Sequence, residues 1–168
     1  MAGLLILGAA ITLTPSPASQ TVAWPAMREG GANYAIATEA NRISQCLPLN
    51  TTEDATKTKA ACAALIAKGI PAGIVPATTA TRVNDWLLPS EYPVNDMKAG
   101  ASASVTLIYE VDEGGSVNSC VVSKGSGIAK FDEAACSGLI QRAHFTPASY
   151  KGKPVHAAAI VTFSFEHD

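Results

Sequence analysis

Residues 104–123 read SVTLIYEVDEGGSVNSCVVS, and this stretch decides the fold class. Apolar and β-branched side chains recur at every second position of its first part, which predicts a strand over Ser104–Val111. The Asp-Glu-Gly-Gly sequence at 112–115 is a turn signal between two strand patterns. A second strand pattern then runs from Val117 to about Ser123. The stretch therefore predicts an antiparallel hairpin.

A helix and a third strand follow the hairpin. The segment Lys130–Arg142 places its apolar residues on one helical face; these are Phe131, Ala135, Cys136, Leu139 and Ile140. The last strand is predicted from about Val155 to Phe165, with one face buried and the other face towards water. The order strand, strand, helix, strand predicts an α+β unit, in which the helix packs on a small antiparallel sheet.

The four cysteines indicate an internal repeat. Cys46 and Cys62 have the same separation as Cys120 and Cys136, and a shift of 74 residues superimposes the two pairs. The same shift aligns AACAALI at 60–66 with AACSGLI at 134–140. Self-similarity of this kind predicts two related structural units. We expect a degenerate copy over residues 22–82 and a fuller copy over residues 83–168.

The upstream copy has weaker signals. Two strands are predicted at 33–38 and 42–47, and Thr51 with Asp54 resembles a capping box that opens a helix ending near Gly69. No long third strand follows. Either this copy has lost its last strand, or residues 73–75 are a remnant of it.

The N-terminus indicates export, which bears on the state of the cysteines. An apolar run over residues 3–13 is followed by small residues and Pro, although no Lys or Arg precedes it. This is typical of a signal peptide at residues 1–18, cleaved after Ala18, although a buried N-terminal helix is the alternative. Four cysteines in an oxidising compartment allow three pairings, and the repeat favours Cys46–Cys62 with Cys120–Cys136.

Composition and motif spacing exclude several functions. Twelve Lys and Arg against 14 Asp and Glu give a net charge of −2, which argues against a nucleic-acid surface. Metal binding is not predicted, because there is no Cys-x-x-Cys motif and no His at ligand spacing from a Cys. His144 has no activated nucleophile or carboxylate pair spaced for catalysis. We therefore expect neither an enzyme nor a cofactor.

Residues 86–166 resemble the C-terminal domain of the TonB family of energy transducers. The matching positions, in order along the chain, are Tyr92-Pro93, Val111-Asp112, Gly115, Val117, Ser126-Gly127, Phe131-Asp132, Ala134-Ala135, Arg142, Phe145, Pro147-Ala148, Gly152, Pro154-Val155 and Phe163 to Phe165. The resemblance implies a β-β-α-β domain in which a receptor peptide adds as a strand beside the last strand. It implies the partner-binding residues Tyr92, Pro93, Ala157, Ala159, Val161, Phe163 and Phe165.

The chain also departs from the family. A transducer has an N-terminal membrane helix and a long charged spacer, whereas residues 1–20 are too short to span a membrane and a folded copy replaces the spacer. We expect an exported periplasmic protein that binds a peptide of an outer-membrane TonB-dependent receptor or another envelope protein. It has no stable membrane anchor after cleavage, and an uncleaved leader would tether it to the inner membrane. A homodimer is compatible with the sequence. The alternative is a structural envelope protein whose sheet edge is covered internally.

Overall fold

The computed structural model describes residues 22–39, 42–50, 54–82, 85–92, 94–98 and 100–166. The predicted leader at 1–18, Thr51 and Pro93 lie outside the described residues. The helices and strands are β1 (Val22–Ala23), β2 (Met27–Glu29), β3 (Ala32–Glu39), β4 (Arg42–Pro48), α1 (Ala55–Lys68), β5 (Ile74–Val75), β6 (Ala77–Thr79), β7 (Ser102–Val111), β8 (Val117–Lys124), α2 (Ala129–Arg142), β9 (Phe145–Thr146), β10 (Ser149–Tyr150), β11 (Lys153–Pro154) and β12 (Ala157–Glu166).

The C-terminal part forms the predicted α+β unit. Its antiparallel sheet has the order β12-β7-β8, and α2 packs on one face of it. Tyr109 of β7, Leu139 of α2 and Phe165 of β12 are fully buried in the core between sheet and helix. Apolar side chains at every second position of β7 and β12 supply most of the sheet's share of this core, and β8 adds Val117. The strand, strand, helix, strand prediction is confirmed.

The N-terminal part forms a second antiparallel sheet, of order β2-β3-β4, with α1 on one face. Asp54 caps α1, because its Oδ1 accepts hydrogen bonds from the backbone N–H groups of Thr56 and Lys57 at 2.9 and 3.1 Å. The helix ends at Gly69, whose N–H donates to the Leu65 carbonyl. The position beside β3 is filled by β2, which precedes the hairpin in the chain and was not predicted. Ile74–Val75 is a strand, but it pairs with β10 instead of joining this sheet.

The two sheets pack face to face, so that the layers run α1, sheet, sheet, α2. Ala35 and Ala37 of β3 lie against Ala158 and Ile160 of β12 and Ile108 of β7, and all are buried. The prediction that one face of the last strand meets water is therefore wrong over its first half. The alternation predicted a solvent-facing side from the polar residues in the second half of the strand. In the first half, the same side carries Ala158 and Ile160, which are apolar and are covered by β3.

Short strands join the two parts. β1 pairs with β6 and β6 with β9, while β5 pairs with β10 of the β10–β11 hairpin. Pairing therefore crosses the expected boundary between residues 82 and 83 at both small sheets. This interleaving fixes the N-terminal part against the C-terminal part.

The two predicted disulfides are both present. Cys46–Cys62 joins β4 to α1 with a Cα–Cα distance of 5.7 Å, and Cys120–Cys136 joins β8 to α2 with a distance of 5.6 Å. Each bridge fastens a helix to the second strand of the hairpin before it. Each closes a loop of equal length, worth about 3 kcal/mol in the chain-entropy account.

Candidate functional site

The exposed edge of β12 is the candidate site. β12 pairs with β7 along its whole length, and its opposite edge meets Trp24, which follows β1. The Ala158 N–H donates to the Trp24 carbonyl at 2.7 Å, and the Trp24 N–H donates to the Ala158 carbonyl at 3.1 Å. Because backbone groups alternate between the two edges of a strand, those of Ile160, Thr162 and Ser164 also point outwards. Within the described residues, no backbone partner pairs with these three.

A band of hydroxyl side chains lies beside this open edge. The register places Ser104 opposite Ser164 and Thr106 opposite Thr162, on the outer face of the sheet. The Thr106 and Thr162 Oγ1 atoms are 3.0 Å apart and form a hydrogen bond. All four side chains are half-buried, so the band is accessible next to the edge. An added strand would meet polar groups on this face.

The segment before β7 is fastened to α2. The Arg142 Nη2 atom donates to the Trp86 carbonyl at 2.8 Å and to the Glu91 carboxylate at 2.5 Å, and the same carboxylate accepts the Leu88 N–H at 2.7 Å. A Cβ atom on Gly138 would lie 2.2 Å from the Trp86 carbonyl oxygen. The absence of a side chain at Gly138 thus permits the close approach that positions this segment.

The match with a known family covers the part of the chain that carries this edge. Residues 89–167 match the family model described as Gram-negative bacterial TonB protein C-terminal. This segment is a TonB C-terminal domain. Neither the curated proteins nor the solved structures contain a match to the chain.

The match to the TonB C-terminal family gives the broad setting of residues 89–167. The family is one of energy transducers rather than enzymes, and its C-terminal domain lies in the periplasm of Gram-negative bacteria. Its partners are outer-membrane TonB-dependent receptors. Across the described residues, no helix has the length and apolar character needed to cross a membrane.

The TonB-like domain places the predicted partner-binding residues of β12 in its core. Their side chains face α2 and their backbone groups face β7; they are Ala157, Ala159, Val161, Phe163 and Phe165, each at most 3% exposed. The outward-facing backbone belongs to the alternate residues. Thr162 and Ser164 are among these alternate residues, and they can be recognised only once the pairing of β12 with β7 is known.

Tyr92 closes the end of the domain core. Its ring stacks on Phe165 with centroids 5.3 Å apart, and the residue is 8% exposed. Burial, with a smaller contribution from Glu91, raises the pKa of the Tyr92 hydroxyl above its ordinary value. The hydroxyl is therefore a neutral hydrogen-bonding group at physiological pH. The residues that the structure describes contain no cluster of His, Cys, Asp or Glu arranged to hold a metal ion.

Proposed function

We propose that this protein binds an extended peptide of an outer-membrane transporter by strand addition, in support of TonB-dependent transport. The observation that carries the proposal is the row of outward backbone groups at Thr162 and Ser164, which lie beyond the buried Ile160. Such a row is a template for another strand, since an added strand satisfies both its donors and its acceptors. The peptide would form backbone hydrogen bonds with these residues, while Phe163 and Phe165 support the edge from the core.

A structural role in the envelope is the second candidate. The pairing of Trp24 with Ala158 favours it, because β1 already covers one outward position of β12. β3 also covers the outer face at Ala158 and Ile160. Internal cover of this kind protects an edge from unwanted pairing. It stops short of Thr162 and Ser164 within the described residues, which is why peptide binding is our first proposal.

We also propose that the chain is exported, with a leader over residues 1–18, and that residues 22–82 and 83–168 are related copies of one unit. The strand, strand, helix order of both parts supports a duplication. So does the bridge from each second strand to the helix that follows it. The main difference between the copies is the place of the third strand in the chain. β2 precedes its hairpin, whereas β12 follows its helix.

A binding experiment with a proline variant tests the peptide proposal. The full chain, oxidised, is immobilised and exposed to synthetic N-terminal peptides of outer-membrane TonB-dependent receptors. Ser164→Pro removes one outward N–H without touching the ladder to β7, and we expect it to weaken binding about tenfold. Val122→Pro is the matched control, because the backbone of Val122 faces outwards on β8 at the opposite edge of the sheet.

The outcomes separate the two candidates. Binding by the wild type and by Val122→Pro, with loss in Ser164→Pro, supports strand addition at β12. Equal loss in both variants would point to general destabilisation, which thermal unfolding of each variant measures directly. No binding of any receptor peptide to the folded wild type would reject the transport role and leave the structural one.

A further inference from the structure

The two helices hold equivalent places in their units, but one face of α1 is much less covered than the same face of α2. A shift of 74 residues superimposes α1 on α2, and a disulfide joins each helix to the second strand of its own hairpin. Phe131 and Gly138 of α2 are buried. The α1 residues at the same positions are Lys57, which is exposed, and Ala64, which is half-buried.

The segment before β7 covers this face of α2. The Glu91 carboxylate accepts a hydrogen bond from Arg142 at 2.5 Å, and the neighbouring Tyr92 ring stacks on Phe165. Phe165 in turn packs against Phe131 of the helix, with ring centroids 6.3 Å apart. An acidic residue followed by an aromatic residue thus fills the space beside α2.

The equivalent space beside α1 is an open cleft of about 330 Å³, which we call the α1 cleft. β2 ends at Glu29 after three residues, whereas β12 has ten residues and brings Phe165 to this place beside α2. Lys57 stands where α2 has the ring of Phe131. The cleft is lined by Glu29 and Gly30 of the β2–β3 turn, Tyr34 of β3, and Lys57, Ala60 and Ala64 of α1. Its volume lies at the lower end of the range for ligand pockets, about 300–1,000 Å³.

The charges of the α1 cleft favour a carboxylate. Glu29 forms an ion pair with Lys68, and the Asp54 carboxylate caps the helix by accepting the backbone N–H of Lys57. Among the residues that the structure describes, no carboxylate forms an ion pair with the Lys57 ammonium group. Lys57 also lies in the first turn of α1, where the helix dipole favours negative charge.

We propose that the α1 cleft binds an extended segment of a partner protein in which an acidic residue stands next to an aromatic residue. The aromatic side chain fills the cleft between α1 and the β2–β3 turn, and the carboxylate pairs with Lys57. The chain itself contains the example, because Glu91 and Tyr92 fill the equivalent place beside α2. The α1 cleft is separate from the edge of β12, so this inference does not depend on strand addition there.

Unlabelled synthetic peptides test the aromatic part of the inference. Acetylated and amidated Gly-Ser-Glu-Tyr-Gly-Ser is titrated into the isotope-labelled, oxidised full chain, and the affinity is taken from amide chemical-shift changes. The same peptide with Ala in place of Tyr should bind more than about tenfold more weakly, because the burial of an aromatic side chain is lost. Equal affinity of the two peptides would overturn the aromatic requirement.

A variant that fills the α1 cleft tests its position. Ala64→Phe places a ring in the cleft from α1 and should weaken binding about tenfold or more. Ala63→Phe is the matched control, because Ala63 is exposed on the same helix and is not among the lining residues. Thermal unfolding establishes that both variants are folded. Wild-type affinity in folded Ala64→Phe, or equal loss in the two variants, would overturn the site.

The charge of Lys57 is tested against a second lysine of α1. Lys57→Gln should weaken binding about threefold, as expected for an exposed ion pair, and added salt should remove the difference from the wild type. Lys59→Gln is the control, because Lys59 is exposed on the same helix outside the cleft lining. Equal effects of the two substitutions would overturn the pairing of the carboxylate with Lys57.

The amide shifts separate this site from other occupants and from the β12 edge. We expect the peptide to shift the amides of Gly30, Ala60 and Ala64 and to leave those of Thr162 and Ser164 unchanged. Shifts confined to Thr162 and Ser164 would place the peptide on β12 and overturn the inference. Cleft amides that move with protein concentration alone, together with a dimer in sedimentation, would make a second copy the occupant and refute a partner segment. If the peptide does not bind, the α1 cleft proposal is rejected, whereas strand addition is decided by the receptor peptides.

Discussion

The layer between the two sheets makes a stability prediction for Ile160→Ala. Ile160 is 3% exposed and packs with Ala35, Ala37 and Ile108. Burial is worth about 0.8 kcal/mol per CH₂ group, so the carbons lost account for about 2.4 kcal/mol. The cavity left behind raises the expected loss in the free energy of unfolding to about 3 kcal/mol. For a chain of this size, that loss lowers Tm by about 6–12 °C.

The assay is urea and thermal unfolding of the oxidised chain, followed by circular dichroism. Ile140→Ala is the matched control, because Ile140 lies on α2 and is 44% exposed. Ile140→Ala should lower the free energy of unfolding by less than about 0.5 kcal/mol. If the N-terminal sheet did not pack on β12, the Ile160 side chain would be exposed to solvent. Equal costs for the two variants would therefore refute the packing of β3 on β12.

Three further predictions concern the bridges, the helix and one buried tyrosine. Replacing both residues of Cys46–Cys62 by Ser, or both of Cys120–Cys136, should lower the free energy of unfolding by about 3 kcal/mol in each case, because the loops are equal; urea unfolding in which one pair costs nothing would contradict this. Gly138→Ala should lower Tm by several degrees, although Ala normally favours a helix, since its Cβ meets a backbone carbonyl; a raised Tm would count against that contact. Burial raises the pKa of Tyr109, so above pH ~10 the unfolded chain releases this proton more readily than the folded one and stability falls with rising pH. In urea unfolding at pH 9 and 11, Tyr109→Phe should show a smaller fall than the wild type, and an equal fall would show that other groups cause it.

Much of the secondary structure was predictable because its signals are local. Alternation along Ser102–Val111 and the helical spacing of apolar residues in Ala129–Arg142 depend on neighbours within a few positions. The hairpin of β3 and β4 and the end of α1 at Gly69 followed from the same kind of signal. The strand β2 was not predicted, because its three residues are too few to show a hydrophobic period.

The candidate site was predictable only as a strand. The resemblance to the TonB family pointed to the last strand, and the chosen residues were its apolar ones. Those side chains face the core, because apolar positions mark the buried face of an edge strand. The backbone groups that remain open belong to the alternate positions, such as Thr162 and Ser164. Which set faces outwards depends on the pairing with β7, and no single strand's sequence contains that pairing.

The sequence by itself determined the α+β unit, the equal spacing of the cysteines and the membership of residues 89–167 in the TonB C-terminal family. The tertiary structure decided how much of the β12 edge stays open. In the tertiary structure, Trp24 pairs with Ala158 through backbone hydrogen bonds and β3 packs against Ile160. The physical reason is that side-chain periodicity reports burial along one segment. The choice of neighbouring strand, by contrast, is made by hydrogen bonds and packing between segments that lie far apart in the chain.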